Sequence, residues 1–207
     1  MKIFNGAEES TILLVRPGAT EIDEQGRIVG TLDVPLSELG TRQAAELADN
    51  TVEFDIKAIF SSPSAAAKQT AEIIGQKHSL KIKVKDALVN IDMGLWQGKS
   101  IEELRATQPK VARQWEEHPE TVCPPDGESF EDVVPRVQKF LRKLQKKHQT
   151  GMIVIVVADP LAKVIAAQLS SQLETACSAP NAESPVEMAA CGRMDLLPLG
   201  IIELADA

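Results

Sequence analysis

The longest apolar run in the chain, residues 152–158 (MIVIVVA), is of strand length, and its centre at 153–157 has no polar position. A strand that is apolar on both faces is covered on both, as in a parallel sheet sandwiched by helices. Residues 11–15 (TILLV) and 56–60 give two further short strands. Residues 80–84 alternate apolar residues with lysine, the pattern of a half-exposed strand. Between these lie helical patterns. Residues 40–50 place Ala44, Leu47 and Ala48 on one face, and 64–77 are rich in alanine. Ser100 with Glu103 forms a capping-box pattern ahead of IEELRAT. Pro109 suits the first turn of a helix that carries Trp115. Ser129 and Asp132 open a long helix running to Lys147, with Pro135 tolerated near its start. Asp159 and Pro160 read as an N-cap and first-turn proline of a helix ending near Leu173. Residues 174–185 read as a loop, and VEMAA and GIIEL as terminal strands. This βαβα rhythm predicts an α/β fold, a three-layer α/β/α sandwich on a mostly parallel central sheet.

Length and composition narrow the picture. With 207 residues, 43% apolar and 25% charged, the chain fits one folded domain spanning 1–207 rather than a disordered segment. A net charge of −8 argues against nucleic acid as the main partner. The apolar runs are too short to span a bilayer, and the first ten residues turn polar before a leader-like apolar stretch develops. The cytoplasm is therefore the expected compartment, with no membrane partner. Cys123, Cys177 and Cys191 are odd in number and lack CxxC spacing, so neither a disulfide framework nor a zinc site is expected.

Five segments, in order and covering about residues 11–170, carry a resemblance. LLVRPGATEIDEQGRIVGTLDVPLSELGTRQAAELA (13–48) is similar to L-V-R-H-G-x-T followed by R-x-x-G-x-x-D-x-P-L-x-x-x-G-x-x-Q-A. FSSPSAAAKQTAEII (60–74) is similar to S-S-P-L-x-R-A-x-Q-T-A. NIDMGLWQGKSIEEL (90–104), PPDGESFEDVVPRVQKFL (124–141) and IVIVVADPLAKVIAAQL (153–169) follow in register. Together they resemble the histidine phosphatase, or phosphoglycerate mutase-like, superfamily. The resemblance implies a phosphoglycerate mutase-like fold and a histidine nucleophile that becomes phosphorylated. It also implies arginines gripping the phosphoryl oxygens, a second histidine and a glutamate proton donor.

The chain departs from that pattern where the chemistry would sit. Pro17 stands at the nucleophilic histidine, Ala66 at the third arginine, Asn90 at the proton donor and Asp159 at the second histidine. Arg16, Gly18, Thr20 and Arg27 remain as a residual anion pocket. An aspartate about 4 Å from a phosphate costs roughly 1–4 kcal/mol of repulsion, so Arg16 and Arg27 are expected to pair with Asp159. No catalytic residue, metal or cofactor is expected. The sequence thus reads first as a catalytically inactive member with a binding or regulatory role. Its expected partners are a weakly bound phosphorylated small molecule or anion, a second copy of the chain, or an enzyme. The alternatives are a phosphatase or phosphoglycerate mutase family enzyme with altered chemistry, and a small-ligand binding module using the emptied cleft. His78, His118 and His148 are expected at the surface, Cys123 as buried or incidental, and Trp96 and Trp115 in the core or over the site.

Overall fold

The structure is a computed structural model that describes residues 10–118, 121–148, 150–177 and 200–203. Its elements are β1 (Ser10–Val15), α1 (Glu21–Glu24), α2 (Glu38–Asn50), β2 (Ile56–Ser61), α3 (Ala65–His78) and β3 (Ile82–Val84). Two 3-10 turns, Asp86–Leu88 and Gly94–Trp96, lead to α4 (Ile101–Thr107) and α5 (Pro109–Glu117). Then come α6 (Phe130–Lys147), β4 (Gly151–Val156), α7 (Leu161–Cys177) and β5 (Gly200–Glu203).

The strands form one sheet in the order β3-β2-β4-β1-β5. The first four are parallel, and β5 runs antiparallel to β1. Alternation along each strand divides the core in two. Ile12, Leu14, Ile153, Ile155 and Val157 face the layer of α6 and α7, packing on Val137, Leu141, Leu161 and Ile165. Leu13, Val15, Val154 and Val156 face the layer of α2 and α3, packing on Leu47, Ala48, Ala71 and Ile74. The expected α/β/α sandwich is therefore present. In β2, Ile56 and Ile59 share one face although three positions apart, because the pairing with β4 slips by one residue between Ile56 and Ala58.

Several boundaries differ from the sequence reading. The strand expected at 80–84 shrinks to Ile82–Val84, because Ser79 closes α3 in the left-handed region (φ 54°) and Leu80 N–H returns to the Gly75 carbonyl. Helix α7 runs to Cys177, so the start of the expected 174–185 loop is helical. The strand expected at VEMAA lies outside the described residues, whereas GIIEL supplies β5. Pro135 sits in the second turn of α6 and forfeits one helical hydrogen bond. The capping box at Ser100 forms as read, and Ser129 with Asp132 and Thr20 with Asp23 make two more. Among the described residues, no helix is long and apolar enough to cross a membrane.

Trp96 is buried and meets Trp115 edge to face at 5.7 Å. Cys123 is exposed rather than buried. His148, expected at the surface, instead packs edge-on against Phe60 at 5.8 Å, with its Nε2 buried and without a hydrogen-bond partner. As the C-cap of α6 it faces the negative end of a helix dipole, which favours a charged ring. Burial wins, and together with Lys83 and Lys147 it holds the imidazole below its ordinary value.

Two predictions follow from this packing. A Cβ on Gly40 would strike the Ala19 carbonyl, and one on Gly18 would strike the Gly40 carbonyl. Both obstacles are backbone and cannot rotate away. Helix propensity alone favours alanine at position 40 by about 1 kcal/mol, but overpacking outweighs it. Gly40→Ala is expected to lower unfolding free energy by about 1–3 kcal/mol in urea titration. For His148, the unfolded chain takes up a proton below about pH 6.5 before the folded chain does. Stability is therefore lost as pH falls from that value toward the lower folded pKa, and is unaffected above it. The loss in urea midpoint between pH 7.5 and 5.5 should be smaller in His148→Phe, which keeps the ring contact.

Candidate functional site

The topology places one crevice before any side chain is considered. After β1 the chain passes by α2 across one face of the sheet to β2, and after β4 it passes by α7 across the other face to β5. The loops leaving neighbouring strands β1 and β4 thus diverge, which opens a cleft at their carboxyl ends. Arg16 directly follows β1, and Asp159 lies three residues beyond β4. Their side chains meet across the cleft, Arg16 Nη1 to Asp159 Oδ2 at 3.4 Å, with the arginine side chain 50% and the aspartate 28% exposed.

Hydrogen bonds fix the loop after β1. Gly18 N–H donates to Thr70 Oγ1 of α3 at 3.1 Å, and Ala19 N–H to Gln43 Oε1 of α2 at 2.9 Å. Thr20 is buried, and its backbone and hydroxyl both donate to Asp23 Oδ2 at 2.8 and 2.7 Å. Pro17 lies directly ahead of these anchors, half-buried. One turn before Thr70, Ala66 is buried in the first turn of α3, and Asp33 Oδ1 accepts the Ala65 N–H at 2.6 Å.

Asn90 is buried and spans three segments. Its Nδ2 donates to the Gly30 carbonyl at 2.9 Å and to the Asp159 carbonyl at 2.8 Å, while its Oδ1 accepts Leu161 N–H at 3.2 Å. The cap of α7 expected from Asp159 is therefore supplied by Asn90, which frees the aspartate carboxylate for Arg16. Arg27 does not share that pair. Its Nη1 donates to the Gly98 carbonyl at 2.6 Å and approaches Glu103 Oε2 at 3.4 Å. The physical reason is local: residues 27–31 zip onto 97–100 through Gly98 N–H to Ile28 O, Ile28 N–H to Lys99 O and Thr31 N–H to Gln97 Oε1. Of the residues singled out from sequence, Arg16, Asn90 and Asp159 are thus linked directly, Pro17, Gly18 and Thr20 belong to the adjoining loop, and Arg27 turns away.

Residues 12–180 match the family model of the histidine phosphatase superfamily (branch 1). The chain belongs to that superfamily. It is 35% identical over 145 residues to phosphoserine phosphatase 1 of Hydrogenobacter thermophilus, covering 70% of this chain and 69% of that one. It is 33% identical over 146 residues to a bifunctional protein of Mycobacterium tuberculosis, of which it spans 40%. Among solved structures, mycobacterial glucosyl-3-phosphoglycerate phosphatase in complex with VO3 superposes with a TM-score of 0.73 at 29% identity, covering 77% of this chain and 81% of that one. Bacillus stearothermophilus YhfR gives 0.71 at 28%, covering 78% and 80%. The fold is accordingly phosphoglycerate mutase-like.

These relatives correct one expectation. A catalytically inactive protein with a binding or regulatory role is not what they point to. Those named for an activity are phosphatases, and probable phosphoglycerate mutases stand among the relatives as well. The physical basis of the correction is geometric: the Arg16–Asp159 pair and the loop anchored after β1 are in place.

Sequence reasoning passed over the residues that hold this geometry. Thr70, Gln43 and Gln97 lie within matched motifs but were not singled out. Arg136 of α6 was not singled out at all. Its Nη1 donates to the Ala87 and Val89 carbonyls at 2.9 and 2.6 Å, so it fastens the segment that presents Asn90. A lone arginine inside an amphipathic helix gives no signal of that reach. Asn90→Ala would leave the Gly30 and Asp159 carbonyls and the Leu161 N–H unpaired, and is expected to cost about 2–4 kcal/mol in urea unfolding. A loss below about 0.5 kcal/mol would contradict the clamp.

Proposed function

We propose that the chain is a phosphomonoester hydrolase that works in the cleft between β1 and β4 by a route without a histidine nucleophile. The observation that carries this reading is the partly exposed Arg16–Asp159 pair at 3.4 Å on a loop anchored to two helices. By the resemblance, Pro17 and Asp159 stand where the family places its two histidines, and a proline ring has no side-chain lone pair to attack phosphorus. His78 ends α3 and His148 follows α6, both helices whose other ends meet the cleft side of the sheet. Neither ring therefore supports a relocated nucleophile.

Phosphoryl transfer needs positive charge on the equatorial oxygens and an oxygen nucleophile in line with the leaving group. An exposed ion pair contributes only about 0.2–1 kcal/mol, whereas a charge-assisted hydrogen bond contributes about 1.5–3 kcal/mol. A phosphate dianion therefore competes Arg16 away from Asp159. The displaced carboxylate then lies beside a like charge, and taking a proton from water relieves that repulsion. Asp159 is the general base in this reading. The water oxygen bonds to phosphorus, its proton passes to Asp159, and the ester P–O bond breaks with its electron pair on the leaving oxygen. Hydrolysis is favoured over mutase chemistry, because a mutase must park the phosphoryl group on a protein nucleophile between its two steps.

The test is hydrolysis of 4-nitrophenyl phosphate. Arg16→Ala should lower kcat/KM by about 10- to 150-fold, mostly through KM. Asp159→Asn should lower kcat by about 10²- to 10⁴-fold without raising KM, since it removes a repulsive charge. Wild-type protein without turnover, or turnover indifferent to both substitutions, would overturn the proposal.

A further inference from the structure

Strand β3 is the outer strand of the sheet at the edge opposite β5. Its pairing with β2 decides which of its backbone groups are spent. Lys85 N–H donates to the Ser61 carbonyl at 3.0 Å, and Lys83 stands beside Phe60 in the register. In a parallel pair, alternate residues of a strand turn both N–H and C=O to the same neighbour. Lys83 and Lys85 therefore bond to β2, and Ile82 and Val84 present their N–H and C=O groups to the outer side. Val84 is 40% exposed, so that side meets solvent. The side chains alternate as well. Lys83 lies over the Phe60 ring, its Nζ 5.2 Å from the centroid, on the α6 face of the sheet. Ile82 packs on the α3 face. There a groove of about 470 Å³ is lined by Gly75, Leu80 and Ile82, and Glu72 and Lys81 add one charge of each sign.

The α6 face beside this edge is basic, in a chain of net charge −8. Lys85 and Lys147 are exposed, and Lys83 and Lys147 both act on the ring of His148. Along α6, Lys139, Arg142, Lys143 and Lys146 follow at helical spacing, all exposed. Asp86 is the acidic neighbour of Lys85 in the chain. We propose that the outer edge of β3 docks an extended acidic segment of a partner protein, one that alternates carboxylates with apolar residues. Added as a further strand, the segment takes up the N–H and C=O groups of Ile82 and Val84. Its carboxylates stand beside Lys83 and Lys85, and its apolar side chains beside Ile82 and Val84, next to the groove. A second copy of this chain fits poorly. Ile82 and Val84 of the two copies would have to bond to each other, and each antiparallel register that allows this sets Lys83 against a lysine at 81, 83 or 85. Like charges directly opposite are destabilising. The net negative charge of the chain repels an acidic segment elsewhere, and the cations of α6 steer it toward β3. This docking edge does not depend on the hydrolase reading.

The probe is a fluorescein-labelled peptide, Glu-Val-Glu-Val-Glu-Val-Glu, titrated with the full chain at low salt and followed by anisotropy. Saturable binding is expected, and Lys83→Glu combined with Lys85→Glu should weaken it by about 10- to 100-fold. Val84→Pro keeps both lysines and the bonds to β2 but removes one outward N–H, a change an edge strand tolerates. It should weaken binding by at least about fivefold. The same peptide N-methylated at every second residue tests the backbone bonds without altering the protein, and the methylation frame that blocks them should bind at least about fivefold more weakly. Absence of saturable binding would overturn the proposal. So would binding indifferent to both Val84→Pro and N-methylation, which is charge adhesion without a strand. A dimer in sedimentation that Val84→Pro dissolves would give the edge to a second copy instead. Retention on phosphatidylglycerol vesicles in place of peptide binding would give the basic face to a membrane and overturn the proposal as well.

Discussion

The parallel pairing of β1 with β4 is the constraint on which the rest depends. Six residues pair in unbroken register from Ser10 with Gly151 to Val15 with Val156, and Val157 N–H extends the ladder to the Val15 carbonyl. Both strands are apolar on both faces, so a slip of one residue would send each side chain into the wrong layer. The same register sets how far Arg16 and Asp159 extend past the sheet. Two short strands therefore decide both the division of the core and the meeting of an arginine with an aspartate 143 residues (159 − 16) further along the chain.

Around that pairing, the loops are held by contacts that tolerate little substitution. Gly18 and Gly40 bring two backbones together, which puts the loop after β1 within reach of Thr70 and Gln43. On the other side, Arg136 grips the carbonyls ahead of Asn90, and Asn90 grips the turn that begins α7. Gly94, at a positive φ of 46°, allows residues 92–96 to cross the 124–128 loop, where Leu95 N–H reaches the Pro125 carbonyl at 3.0 Å. Segments distant in sequence thus hold one another through backbone and side-chain hydrogen bonds.

The layers and the sheet were readable from apolar periodicity because each strand and helix buries a continuous face. The capping box at Ser100 was readable because its geometry is local. What escaped was contextual. The end of α3 at Ser79 depends on a left-handed residue that is not glycine, and the bulge near Lys57 leaves no mark in composition. At the site, position 159 could be named from its place in a motif, and both arginines were expected to pair with it. Arg27 was lost to Arg16 only because a backbone zipper at 97–100 captures it. His148 was misplaced for a similar reason: the ring stacks on a phenylalanine supplied by another element.

The amide at position 90 also has a historical consequence. It satisfies two carbonyls and one N–H at once, from three stretches of chain. A carboxylate there would point negative charge at the Gly30 and Asp159 oxygens and lose both donors. Once the surrounding backbone had settled around an asparagine, a step back to an acidic residue would pass through a less stable protein. The clamp acts as a ratchet: asparagine and glutamate codons differ at two positions, and the fold itself opposes the return.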